Sequence, residues 1–99
     1  LRVARQSGGG ACAVTDEEVV EGMKLLAETE GIFAETAGGV VVAGLRKLVA
    51  LGIIKKGDLT VAFITGAGLK TQEVIAERVH PLVIQPTLES FEEVFGKRA

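Results

Sequence analysis

Apolar positions along this chain follow two rhythms. From Val19 to Ala27 the residues Val19, Val20, Met23, Leu26 and Ala27 recur three and four apart, with Glu17, Glu21, Lys24 and Glu28 on the other side. A spacing of that kind sets one stripe against a core and one face in water, which predicts an amphipathic helix. Thr15-Asp16-Glu17-Glu18 predicts where it starts. The Thr15 hydroxyl can accept from the Glu18 N–H, and the Glu18 carboxylate can reach back. This helix is expected to run to about Thr29. Another is expected from about Thr36 to Leu51. It carries Val40, Val41, Val42, Ala43, Leu45, Leu48 and Val49, apolar nearly all round until Arg46 and Lys47. Such a helix is expected at the buried centre of a fold. Gly38, Gly39 and Gly44 each cost it up to about 1 kcal/mol relative to Ala. Glycines are tolerated there where something must approach the backbone closely.

The second rhythm is a set of short apolar runs. Ala11-Cys12-Ala13-Val14, Leu59 to Ile64, and Leu82-Val83-Ile84-Gln85 read as strands, the middle one buried on both faces. Leu1 to Gln6 looks like the last turns of an amphipathic helix, stopped by Gly8 to Gly10. Glu30 to Ala34 is expected to be a turn and a short extended link. Lys55-Lys56-Gly57-Asp58 is expected to be an exposed turn. Thr71 to Val74 can cap a short helix reaching about Arg78, which His80-Pro81 breaks. Thr87 can cap a last helix from Leu88 to about Phe95, with Leu88, Phe91, Val94 and Phe95 inward. Strands alternating with helices predict an α/β fold. The expectation is a small three-layer-type segment with a mainly parallel sheet, residues 1–99 forming one unit. An opening at a helix end, without Met, is read as a piece of a longer protein.

Composition narrows the function classes. Apolar residues are 47% of the chain and aromatics 4%, so aliphatic side chains must fill the interior. The net charge is −2 and Lys and Arg are not clustered, which argues against a nucleic-acid partner. No apolar run approaches the roughly 18 residues of a membrane span. The single cysteine, Cys12, cannot form an intrachain disulfide, which fits a reducing, cytoplasmic setting. It reads as a small core residue.

The chemistry-bearing stretch is Leu59 to Lys70, LTVAFITGAGLK. An apolar run ends in Thr65-Gly66-Ala67-Gly68. Glycines there let the backbone turn sharply and approach a bound group. The turn sets the Thr65 hydroxyl at the carboxyl end of a predicted core strand, the edge where open α/β sheets bind ligands. Neither phosphate-loop pattern fits. A P-loop would need Gly where Leu69 precedes Lys70, and a dinucleotide fingerprint would need Gly at Thr71. A plain glycine turn between strand and helix is the alternative. His80 reads as an exposed turn residue, and Glu17-Glu18-Glu21 as a solvated helix start without the His or Cys of a metal site.

Three stretches taken together carry a family resemblance: Glu30 to Gly39, EGIFAETAGG; Ala43-Gly44-Leu45 with Leu48; and Ile64 to Lys70, ITGAGLK. They resemble the C-terminal part of the threonine synthase family, within the fold-type II pyridoxal-phosphate enzymes of the tryptophan-synthase-β-like group. Ser7-Gly8-Gly9 with Val14 to Glu18, and Ile84 to Glu89, are similar to the flanking stretches of that family. The resemblance implies pyridoxal 5'-phosphate as cofactor and conversion of O-phosphohomoserine and water to threonine and phosphate. It implies that Thr65 bonds the pyridine nitrogen, that Gly66 keeps the backbone clear of the ring, and that Glu35 stands near the ring at the head of the buried helix. The alternative for Glu35 is an ordinary first-turn carboxylate on the helix dipole. The chain departs from the family at Thr36 to Gly39, where many relatives have Pro and Ser. The Schiff-base lysine and the phosphate-cradling loop belong to upstream motifs that this chain lacks, and Lys70 reads as a surface or supporting residue. The resemblance therefore implies a segment inactive alone, completed by the remainder of the enzyme in a homodimer. Another fold-type II enzyme, such as a threonine dehydratase or a cysteate-synthase-like relative, stays open, as does a free-standing non-catalytic α/β module.

Overall fold

The computed structural model of the chain describes residues 2–96. Its helices are α1 (Arg2–Gln6), α2 (Asp16–Glu30), α3 (Thr36–Ala50) and α4 (Leu88–Phe95), with single 3-10 turns at Gly68–Lys70 and Gln72–Val74. The capping box forms where the spacing predicts it. Glu18 N–H donates to Thr15 Oγ1 at 3.2 Å, and Thr15 N–H donates to Glu18 Oε2 at 2.7 Å. Gly31 closes α2 in the left-handed region, φ 68, with its N–H on the Ala27 carbonyl. The turn at Lys55 to Asp58 is closed from both sides: Lys55 N–H donates to Asp58 Oδ2 at 2.8 Å, and Asp58 N–H to the Lys55 carbonyl at 3.1 Å.

Helices α2 and α3 pack on each other as a hairpin. The predicted stripe of α2 is the one it buries: Val19, Met23 and Leu26 are buried, and Val20 and Ala27 half-buried. Val19 and Met23 cluster with Ile75, and Leu26 clusters with Ala34 and Val42. The crossing is close because small residues meet there. A Cβ at Gly22 would lie 2.5 Å from the Gly39 carbonyl oxygen, and one at Gly39 would meet the Val19 carbonyl and sit 2.7 Å from Met23 Cγ. Two glycines that look unfavourable for a helix thus permit the backbone contact between helices. Lys47 ties the open end of the hairpin, with Nζ 2.7 Å from Glu18 Oε2 and 2.8 Å from the Ala13 carbonyl.

The predicted sheet is not formed. Among the described residues there is no strand, and the one isolated bridge is antiparallel, Ala34 to Ala67. The runs at Ala11 to Val14, Leu59 to Ile64 and Leu82 to Gln85 carry no helix or strand. Strand pairing needs a neighbour to exchange ladder hydrogen bonds, and no second run lies alongside any of them. Many of their apolar side chains are bare as a result: Leu59 is 96% exposed, Phe63 79% and Val83 93%, while Val14 and Ile64 pack at the edge of the helical core. The three-layer arrangement is therefore absent from these residues.

Other expectations are corrected as well, several of them at surfaces that nothing covers. Helix α3 buries only Gly38, Gly39, Val42 and Ala43, while Val40 and Val49 are exposed. On α4, capped by Thr87 Oγ1 accepting from Ser90 N–H, Leu88, Phe91 and Phe95 are exposed rather than inward. Phe91 and Phe95 stack on each other instead, with centroids 4.6 Å apart. Cys12 is exposed, not core, with Sγ 3.7 Å from the Gly44 carbonyl. The short helix expected from Thr71 to Arg78 is replaced by the 3-10 turn Gln72–Val74 and a run of turns.

Candidate functional site

The candidate residues meet where the segment after the Leu59 run crosses the entry to α3. Four polar contacts make the crossing. Glu35 N–H donates to the Gly66 carbonyl at 3.2 Å, and Gly68 N–H donates to the Phe33 carbonyl at 2.9 Å. Thr36 N–H donates to Thr71 Oγ1 at 3.2 Å. Lys70 Nζ stands 3.8 Å from Glu35 Oε2. Ala34, 1% exposed, is held beneath the crossing.

The backbone corner depends on Gly66. Its φ of 74 lies in the left-handed region, and a Cβ there would collide with the Glu35 carboxylate. Gly68 is covered by the Phe33 ring, whose edge atoms lie 2.5 Å from where a Cβ would be. The structure thus brings two of the sequence-predicted residues, Glu35 and Gly66, into direct apposition. Thr65 stands next to them on an exposed part of the chain. Lys70 is a surface residue, 68% exposed, as the sequence suggests, and its partner Glu35 is 21% exposed. A pair that open to water contributes at most about 1 kcal/mol.

The crossing involves residues that local pattern does not single out. Phe33 and Thr71 become neighbours of the turn through contacts between distant parts of the chain. Nothing within either stretch announces that they meet.

Two concavities lie elsewhere. One, of about 360 Å³, sits between Glu17, Glu18, Glu21, Arg46 and Lys47. Lys47 bonding, together with the Thr15 N–H, holds the Glu18 carboxyl below its usual value of 4.5. The other, of about 510 Å³, is more apolar and is lined by Ala27, Phe33, Ile75, Val79 and His80 among others. Neither is lined by Thr65, Gly66 or Glu35. Among the described residues no group of acidic, His or Cys side chains could hold a metal ion. No helix among them is long and apolar enough to cross a membrane.

A glycine corner joined to the head of a helix, with a free hydroxyl beside it, coincides with a family assignment. The family model described as pyridoxal-phosphate dependent enzyme matches residues 1–66, and the chain belongs to that family. Within it the similar proteins are threonine synthases. The threonine synthase of Methanosarcina acetivorans is 43% identical over 98% of this chain and 24% of its own length. That of Halalkalibacterium halodurans is 41% identical over 92% of this chain and 26% of its own length. That of Methanocaldococcus jannaschii is 56% identical over 65% of this chain and 16% of its own length. The chain thus spans about a quarter or less of the relatives it matches. The family's cofactor is pyridoxal phosphate, and its fold class is α/β.

Thr65 offers a neutral hydroxyl that can donate or accept. Gly66 has no side chain, and the Glu35 carboxylate occupies the space its Cβ would take.

Proposed function

We propose that this chain is the C-terminal part of a threonine synthase, the enzyme that converts O-phosphohomoserine and water to threonine and phosphate. The segment supplies the wall that receives the pyridine nitrogen of pyridoxal phosphate. The observation that carries this is the clipped corner: an exposed Thr65 follows an extended run and precedes a left-handed Gly66 bonded to the head of α3. The likeness to threonine synthases along nearly the whole chain supports it.

Bound pyridoxal phosphate supplies an electron sink for the substrate's α carbon. Thr65 bonds the ring nitrogen without a charge, so it does not force that nitrogen to stay protonated. This tempers the sink and suits elimination and replacement further along the substrate chain. Gly66, with no side chain, would keep the backbone clear of the ring. Glu35 is held against Gly66 with Lys70 beside it, and it would set a carboxylate near the bound ring.

The uncovered apolar surface supports a wider reading. The runs at Leu59 to Ile64 and Leu82 to Gln85 are strands of a mainly parallel sheet whose other members lie in the remainder of the enzyme. The parent enzyme is a cytoplasmic homodimer, and this segment alone is inactive. Lacking the lysine that anchors the cofactor, it should give no Thr65-dependent absorbance band with pyridoxal phosphate and no turnover. In the full-length enzyme, Thr65→Ala should weaken retention of pyridoxal phosphate and shift its absorbance. An unaltered spectrum and affinity in that variant would sink the proposal.

A further inference from the structure

Helix α3 does not cap itself. The side chain of Glu35, its N-cap, makes no capping hydrogen bond, because its carboxylate is turned toward Gly66 and Lys70. The first backbone donor of the helix is left over, and unpaired donors at a helix start need a partner. Thr71 provides it: Thr36 N–H donates to Thr71 Oγ1 at 3.2 Å, in a half-buried setting. Thr71 is itself fixed, with its own N–H on the Gly68 carbonyl at 3.1 Å.

The loop from Gly66 to Thr71 is therefore tied to the helix entry at both ends. At one end the Gly66 carbonyl accepts from Glu35, and at the other the Thr71 hydroxyl accepts from Thr36, with Gly68 on Phe33 between them. The Thr71 tie is the one made by a side chain that the backbone conformation does not supply automatically. The Lys70 ion pair is longer and open to water, so solvent screens it. We infer that Thr71 is a positioning residue: by capping α3 from across the loop, its hydroxyl sets where the Thr65 hydroxyl stands relative to the cofactor ring.

The inference rests on Thr65 being the ring contact, so both positions are tested together in the full-length enzyme, with pyridoxal phosphate as the probe. Thr71→Val should lower pyridoxal phosphate affinity about tenfold, a change of roughly 1.4 kcal/mol. It should shift the cofactor's absorbance in the direction seen for Thr65→Ala and speed hydrogen exchange at the Thr36 amide. Thr71→Ser, which keeps the oxygen, should restore all of these. Faster exchange at Thr36 with wild-type affinity and spectrum would overturn the inference, as would failure of the serine variant to rescue. Should Thr71→Val not fold, Thr71→Ala is read the same way. If neither folds while Thr71→Ser does, the hydroxyl is structural only and the inference fails. The Thr65→Ala arm separates the two ideas. An unchanged spectrum there removes the ring contact itself, whereas a changed one beside a silent Thr71→Val removes only the role of Thr71.

Discussion

At φ 74 Gly66 sits where an L side chain is strained, and the Glu35 carboxylate fills the volume a Cβ would need. Gly66→Ala is expected to destabilise the crossing by about 2 kcal/mol, the cost of a left-handed non-glycine residue before any clash is counted. Urea denaturation of the wild-type and variant chains measures it. Glu18 makes a different prediction. Lys47 bonding and the Thr15 N–H depress its pKa from 4.5. A carboxylate with a lowered folded-state pKa stabilises the fold when ionised. Its contribution is thus complete above the unfolded value and is lost as pH falls through the folded one. Stability should decline below about pH 4.5, and Glu18→Gln should flatten that decline, as read from melting curves across pH 3 to 6. Some of this residue-scale detail was legible beforehand. The Thr15–Glu18 box lies within four consecutive residues, so its geometry is local. Family resemblance alone set Glu35 and Gly66 near one bound ring, and their direct apposition was not legible. The bond from Thr36 to Thr71 was not legible at all, because it joins residues far apart in the chain.

Between elements, the contact of α2 with α3 separates two glycines that look alike in the sequence. A Cβ at Gly39 would meet the Val19 carbonyl, backbone that cannot move aside, whereas one at Gly44 would meet Cys12 Sγ at an ordinary 3.5 Å. Replacing Gly by Ala inside a helix gains about 1 kcal/mol of propensity. Gly44→Ala is expected to raise stability by up to that amount. Gly39→Ala is expected to lower it by about 1–3 kcal/mol, because overpacking outweighs the gain. Chemical denaturation of the two single variants checks the opposite signs. The helices themselves were readable because a 3.6-residue period and local caps carry their own information. The three apolar runs were readable as apolar but not as strands in this structure. A helix satisfies its backbone internally, while a strand needs a partner, and none of these runs has one here.

Over the whole molecule, the radius of gyration is 17.8 Å, against about 13 Å for a compact domain of this length. Leu59, Val61, Phe63 and Val83 stand in solvent, and so do Val40 on α3 and Phe91 and Phe95 on α4. An apolar surface of that extent marks an interface. The isolated chain is therefore expected to self-associate. Sedimentation should show a mass that rises with concentration, and combined Leu59→Thr, Val61→Thr and Phe63→Thr changes should return it towards a monomer. A monomer at high concentration in the unsubstituted chain would contradict this.

The bridge between Ala34 and Ala67 has a consequence in time as well as in space. The α2–α3 hairpin forms from stretches separated by a five-residue link, so little chain entropy opposes it. The bridge must instead close a long loop that carries no sheet to guide it, and non-local closures of that kind are slow. The corner bearing Thr65 is thus expected to close after the α2–α3 hairpin, so its shape depends on long-range closure and not only on the helices that dominate the chain.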